Sequence, residues 1–167
     1  ALEPPQDYSG HFDFDIPALA HEAEAVNEVK QRQRFTVVIG NPPYSGVSSN
    51  MTEEAQRLVD AYRTVDGKAL NERKHWLQDD YVKFIRLAQC TIDASCFGVL
   101  GFVTNHSYID NATFRGMRQS LTNTFPEIFA HDLSGSAKKV EIRGAAEDQN
   151  VFDIQQGVAI LLARRAP

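Results

Sequence analysis

Phe35-Thr36-Val37-Val38-Ile39-Gly40-Asn41-Pro42-Pro43-Tyr44 begins as an apolar, β-branched run and stops at two prolines. Runs of this composition form strands buried on both faces, as in a parallel sheet. Neither proline has an N–H to give to a ladder, so the strand ends there. Phe97-Gly98-Val99-Leu100-Gly101-Phe102-Val103-Thr104 is a second such run. Between them, Tyr81, Phe84, Ile85, Ala88 and Ile92 share one side of a helix predicted from about Asp79 to Ala94. Upstream, Asp15-Ile16-Pro17 is a helix start, and Leu19, Ala23, Val26 and Val29 carry that helix from Pro17 to Lys30. Asn50 with Glu53 resembles a capping box for a short helix bearing Ala55, Leu58, Val59 and Tyr62. Residues 63–78 are polar and irregular and predict a surface loop. Asp110 or Asn111 caps a helix with Phe114, Met117, Arg118 and Leu121 on one face, Ile128-Phe129-Ala130 is a weaker strand, and Gly157 to Ala163 is a final one. Strands alternating with helices predict an α/β domain with a largely parallel sheet. The last two strands have no helical pattern between them and are expected to pair antiparallel at one edge.

The 167 residues suffice for one ordinary globular domain, and 43% hydrophobic residues suffice for its core. No apolar run approaches the roughly 18 residues of a membrane span, and no charged-then-apolar leader precedes the first element, which argues against a membrane protein or a secreted precursor. Cys90 and Cys96 are too few for a disulfide framework and lack metal-ligand spacing, so reduced thiols in a cytoplasmic protein without zinc are expected. The net charge is -5, and residues 1–30 hold seven acids against one base. A protein that grips nucleic acid by itself is usually basic, because phosphate neutralisation supplies most of its affinity. The composition therefore argues against an autonomous DNA binder. The chain opens with Ala1 and stops at Pro167 directly after an apolar segment, which predicts a piece of something longer.

Asn41-Pro42-Pro43-Tyr44 carries the chemistry. Ligands of open α/β sheets bind just beyond the carboxyl ends of the strands. A side-chain amide and the Pro42 carbonyl can together accept both hydrogens of a planar amino group, and Tyr44 offers a flat face for stacking. An exocyclic amino nitrogen is a poor nucleophile, because its lone pair is delocalised into the ring. Two acceptors pulling on its hydrogens favour a more pyramidal nitrogen, which suits alkylation of an amine. The same four residues also fit a plain stiff turn, with Asn41 bonded to nearby backbone and Tyr44 packed on the surface. The strand before them supplies the context that the chemistry needs.

Residues 35–45 resemble motif IV of the amino-methyltransferases that use S-adenosyl-L-methionine. Asn71-Glu72-Arg73-Lys74, Tyr81-Val82-Lys83-Phe84, the segment Gly101 to Tyr108, Phe114-Arg115-Gly116-Met117-Arg118 and the segment Asn150 to Ala159 are similar to regions of N6-adenine DNA methyltransferases from bacterial restriction-modification systems. The pattern is most like single-polypeptide restriction enzymes that also hold nuclease and helicase-like parts. The resemblance implies the C-terminal half of a Rossmann-like methyltransferase sheet, mostly parallel with an antiparallel edge hairpin. Residues 1–34 would be an acidic connector and helix, and residues 35–167 the second half of the catalytic domain. It implies methyl transfer to adenine N6 in double-stranded DNA, which the intact parent and its remaining domains would grip, with no metal. Asn41, Pro42 and Tyr44 would be catalytic; Tyr44, Pro43 and Phe152 would face a flipped base. Asn41 and Phe84 would contact the cofactor, Phe84 against its adenine. Phe84 also fits as plain core on its helix face, and Phe152 as a strand anchor.

The departures from the family pattern bear equally on function. A glycine-rich loop for the methionine end of the cofactor and an acidic residue for its ribose do not occur here, and glycines 10, 40, 46, 67, 98 and 101 make no such loop. Leu2-Glu3-Pro4-Pro5 matches the tail of a motif III segment, and no target-recognition domain follows motif VIII. The piece alone is expected to bind cofactor weakly or not at all. Other acceptors of the same transfer, a protein glutamine or an RNA base, stay open, as does a non-catalytic half-domain. His106 reads as a solvated loop residue, Arg115 and Arg118 as phosphate contacts or solvent-facing charges, and Lys138, Lys139 and Arg143 as a solvated basic run.

Overall fold

The computed structural model describes residues 22, 24–29, 33–44, 46, 48, 50–70, 75–134 and 156–167. Residues 24–29 are helical (α1), and Val26 and Val29 are exposed on it. The predicted start of this helix at Asp15 and the basic run at 138–143 lie outside the described residues. Strand β1 is Val37–Gly40. Helix α2, Glu53–Leu58, is capped by Thr52, whose hydroxyl accepts from Ala55 N at 3.3 Å, and not by Asn50. The predicted loop holds structure. A 3-10 turn, Asp60–Arg63, leads into β2 (Thr64–Val65) and β3 (Lys68–Ala69), an antiparallel hairpin. Its two-residue turn, Asp66-Gly67, has φ of 50° and 74°, the doubly left-handed turn that an Asp-Gly pair adopts readily.

Helix α3, Asp80–Ser95, precedes β4, Gly98–Asn105. Asn111 starts the next element, its Oδ1 accepting from Thr113 N at 3.0 Å, and α4 follows as Arg115–Thr124. Strand β5 is Glu127–Ser134, longer than the three residues expected, and β6 is Val158–Arg165. The sheet order is β1-β4-β6-β5. β1 runs parallel to β4, while β6 is antiparallel to both β4 and β5. Three strands thus run one way and β6 runs against them from between two of them. The antiparallel pair is at the sheet edge as expected, with its last strand on the inside. The fold is mixed α/β, and within the described sheet one ladder is parallel and two are antiparallel, which corrects the expectation of a largely parallel sheet.

Alternation assigns the two faces. Leu100, Phe102 and Thr104 of β4 are buried and pair with Ala163, Leu161 and Ala159 of β6, which are buried too. This face carries the core with Tyr81, Ile85 and Ile92 of α3 and Met117 and Leu121 of α4. On the other face, Ile39, Gly101, Leu162 and Phe129 lie in one row across all four strands, and Ile39 is 77% exposed. β1 was expected to be buried on both faces; it is covered on one, and one of its edges is open among the described residues. Ser95 Oγ donates to Phe35 O at 3.0 Å and Val99 N to Thr36 O at 2.8 Å, which fixes its entry.

A buried polar tie joins the helices on the covered face. Gln89 Nε2 donates to Ser120 O (2.9 Å) and Thr124 Oγ1 (2.7 Å), while its Oε1 accepts from Tyr62 OH at 2.9 Å. Burial pushes the Tyr62 hydroxyl well above the usual phenol range, so it stays a donor. Close approach of α4 to this turn needs Gly116: a Cβ there would overlap Tyr62 O and lie 2.8 Å from Thr64 O. Gly116→Ala should therefore cost about 1–3 kcal/mol, read as a lower midpoint in chemical denaturation. An unchanged midpoint would mean that α4 does not pack this tightly on the 60–65 turn.

Candidate functional site

The end of β1 is set by chemistry that cannot be bypassed: Pro42 and Pro43 have no N–H, so the ladder with β4 stops at Gly40 opposite Phe102. The chain then turns at the carboxyl end of the parallel pair, with Pro42 buried and Asn41 and Pro43 exposed. Phe84, half-buried on α3, faces the same place. A cleft of about 570 Å³ lies between them, with Asn41, Pro42 and Pro43 on one side and Phe84, Leu87 and Ala88 on the other. This volume is within the range of small-molecule sites, and the wall from α3 is apolar.

Four of the six residues expected to act together, Asn41, Pro42, Pro43 and Phe84, line this cleft. Tyr44 does not line it; the ring is half-buried and packs against the hydrophobic core. Phe152 lies outside the described residues. Behind the site, Tyr81 has its ring centroid 6.2 Å from Tyr108 and 6.4 Å from Phe114. Burial raises the pKa of both tyrosines above the ordinary phenol value, and Thr104 Oγ1 donates to Tyr108 OH at 3.4 Å. Neutral phenols in this position make a stiff aromatic floor under the carboxyl end of β4.

Two side chains differ from expectation. His106, directly after β4, is not a solvated loop histidine: its Nδ1 is 3.0 Å from Asp132 Oδ1 on β5, and its backbone N–H donates to Gly157 O at 3.0 Å. The His106 ring thus meets strand β5, while its backbone holds the residue before β6. Arg118 meets carbonyls, with Nη1 donating to Tyr108 O and to Asn111 O, both at 2.8 Å, so its charge secures the turn ahead of α4. Arg115 is exposed. Lys83, beside Phe84, went unremarked in the sequence because it reads as a polar position on an amphipathic helix; it is fully buried. Among the described residues, no group of three or more His, Cys, Asp or Glu could hold a metal. None of the described helices is long and apolar enough to cross a membrane.

Residues 10–138 match a family model described as Eco57I restriction-modification methylase. The chain belongs to that family. Among solved structures it is similar to an ATP-dependent Type ISP restriction-modification enzyme, LlaBIII, bound to DNA, at 30% identity and a TM-score of 0.65. It is similar to the DrdV–DNA complex at 30% identity and a TM-score of 0.69. A nuclease-deletion mutant of the Type ISP enzyme LlaGI, in complex with a DNA substrate mimic, shares the fold at 24% identity and a TM-score of 0.65. Each match covers 89% of this chain and only 10 to 15% of the other. No curated protein sequence matches. For the methylase family, the place of His106 gives a direct test of the packing between β4 and the β5–β6 stems. A Cβ at Gly157 would lie 2.6 Å from His106 Nε2, so Gly157→Ala should expel the ring and break its contact with Asp132. The His106 ring resonances should move in NMR; unmoved resonances would refute the contact.

Proposed function

We propose that the chain is the second half of a Rossmann-like methyltransferase domain, whose intact parent transfers a methyl group from S-adenosyl-L-methionine to the N6 amino group of adenine in double-stranded DNA. The observation that carries this reading is the cleft shared by Asn41, Pro42, Pro43 and Phe84 at the carboxyl end of β1. Membership of a restriction-modification methylase family supports it, as do structural neighbours that are bound to DNA.

The roles follow from donor and acceptor chemistry. The Asn41 side-chain oxygen and the Pro42 carbonyl accept the two amino hydrogens of a base flipped out of the duplex. Their pull makes the nitrogen more pyramidal and raises its electron density toward the methyl donor, while Pro43 and Phe152 hold the ring. Bound S-adenosylmethionine supplies a methyl group on a positively charged sulfur. The residues present fit the adenine end of that cofactor: the apolar wall of Phe84, Leu87 and Ala88 accepts a flat ring. They provide no glycine-rich loop for the other end.

Half of a domain is also what the exposed surface suits. Val37 and Ile39 are 60% and 77% exposed on a strand with one edge open among the described residues, an arrangement that invites pairing and covering by further chain. The rest of the parent polypeptide fits that need.

Asn41→Ala in the full-length parent should reduce methyl incorporation into DNA by about a hundredfold or more, the scale of losing a positioned hydrogen-bonding group in a transition state. Circular dichroism should be unchanged; full activity in a folded variant would sink the assignment. Titrating S-adenosylmethionine into the chain alone in a calorimeter should give no binding tighter than about millimolar. A micromolar dissociation constant would instead mean that the cofactor site is complete within these residues.

A further inference from the structure

We infer that Asp79, Lys83 and Ser48 form a bracket that pins the segment leaving Asn41–Tyr44 to the first turn of α3, and that these three are positioning residues for methyl transfer. The inference rests on the reading of the site given above and adds residues to it that touch neither cofactor nor base.

The Lys83 ammonium is fully buried. An ammonium taken out of water is costly unless it is paired and hydrogen-bonded. Its partners come from the segment after the tetrapeptide: Nζ is 2.6 Å from Ser48 Oγ and 2.5 Å from Asn50 O. Asp80 Oδ1 is 3.9 Å away, too far for a tight pair, and accepts instead from Ser48 Oγ at 2.5 Å. Burial accordingly draws the Lys83 pKa down while Asp80 and Asp79 draw it up. The segment must stay where it is for the buried charge to be satisfied.

Asp79 adds a second pin by giving up a local one. It stands at the N-cap of α3 with extended backbone angles, yet its side chain makes no capping hydrogen bond; burial pushes its pKa up, and the N–H groups of Asp80 and Gly46 offset part of that rise. Oδ2 accepts from Gly46 N at 3.1 Å, and Oδ1 is buried with no hydrogen-bond partner among the described residues. A carboxylate that would otherwise cap its own helix is therefore committed to the backbone 33 residues earlier. Gly46 meets it with φ at 78°, in the left-handed region that glycine enters freely.

The same helix carries Phe84 one residue beyond Lys83, on the wall of the cleft. Chain reach is at most ~3.6 Å per residue, so a pin at Gly46 confines Tyr44 to within about 7 Å. One rigid element thus fixes both the face that takes the cofactor's ring and the leash of the tetrapeptide opposite it. Sites held by rigid elements and their supporting hydrogen bonds keep the sub-ångström geometry that group transfer demands.

The test compares Lys83→Met, Asp79→Ala and Ser48→Ala with the wild type in the full-length parent. The methylation kcat should fall about tenfold or more in the first two and at least threefold in Ser48→Ala, with KM for S-adenosylmethionine within twofold. Hydrogen exchange should quicken over residues 41–50 and stay unchanged over β4. Ser48→Ala removes one hydroxyl from a half-buried position and leaves the helix core intact, so it decides the matter if the other variants fail to fold. Wild-type kcat per folded molecule in Ser48→Ala, or unchanged exchange over residues 41–50, overturns the bracket. If Asn41→Ala is inactive while the bracket variants are normal, only this inference falls; if Asn41→Ala is active, the site reading falls first.

Discussion

The candidate site depends on a four-residue parallel ladder between β1 and β4, because that ladder sets where Asn41 emerges from the sheet. Four paired residues are a short strand, and an edge strand of that length is marginal without help. Help comes from both ends. Val99 N and Ser95 Oγ hold the entry at Thr36 and Phe35, and buried Pro42 holds the exit. Strand β1 is therefore held between fixed points, and the tetrapeptide begins at the second of them. Its prolines cannot drift back into the ladder, since they have no donor to give it.

A sheet with one face packed and the other open is under different demands on its two sides. On the packed face, Leu100, Phe102 and Leu161 bury fully against α3 and α4, and even a single large-to-small change there would cost several kcal/mol (about 2–5 for Leu→Ala). On the open face, the row from Ile39 to Phe129 is apolar yet wet. A Cβ at Gly101, in the middle of that row, would lie 3.1 Å from Ile39 Cγ2 and 3.4 Å from Leu162 Cδ2, so its hydrogen lets the two neighbours close over the backbone. Ion pairs of Arg164 with Glu127 and Arg165 with Asp93 lie at the exposed amino-terminal end of β5 and the far end of α3, where water screens them and they add little.

Much of this was legible from residue types alone, and the misses have identifiable causes. The strands at 37–40, 98–105 and 158–165 were readable because β-branched runs are bounded by Gly and Pro. The antiparallel pairing of the last two strands followed from the lack of a helical pattern between them. That β6 would insert between β4 and β5 was not readable, since strand order is settled by which faces need covering and not by any local signal. The 64–69 hairpin has a strong turn signal in Asp66-Gly67 but no strand signal, because two-residue strands have no periodicity. The cap of α2 went to Asn50 on the capping-box pattern. Thr52 won because Asn50 lies on the segment whose carbonyl satisfies Lys83, and so cannot also start the helix. Solvent or phosphate is the local reading of His106 and Arg118; Asp132, 26 residues on, decides the first, and the carbonyls of the turn ahead of α4 decide the second.

Local rules fail in one concentrated place, the start of α3. A helix with Asp79 at its N-cap should spend that carboxylate on its own free N–H groups, and an amphipathic helix should keep Lys83 in water. Both expectations are broken within five residues, next to Phe84 and directly across from the tetrapeptide. A fold that merely needed a stable helix would not bury an ammonium or turn its N-cap carboxylate toward a distant backbone, because each choice costs stability. Such conflicts between local preference and global arrangement persist where the arrangement itself is what matters. The sacrifice at Asp79 and Lys83 therefore locates the constraint better than the four-residue motif does: the position of the segment after Tyr44 is worth more to this protein than the stability of the helix that holds it.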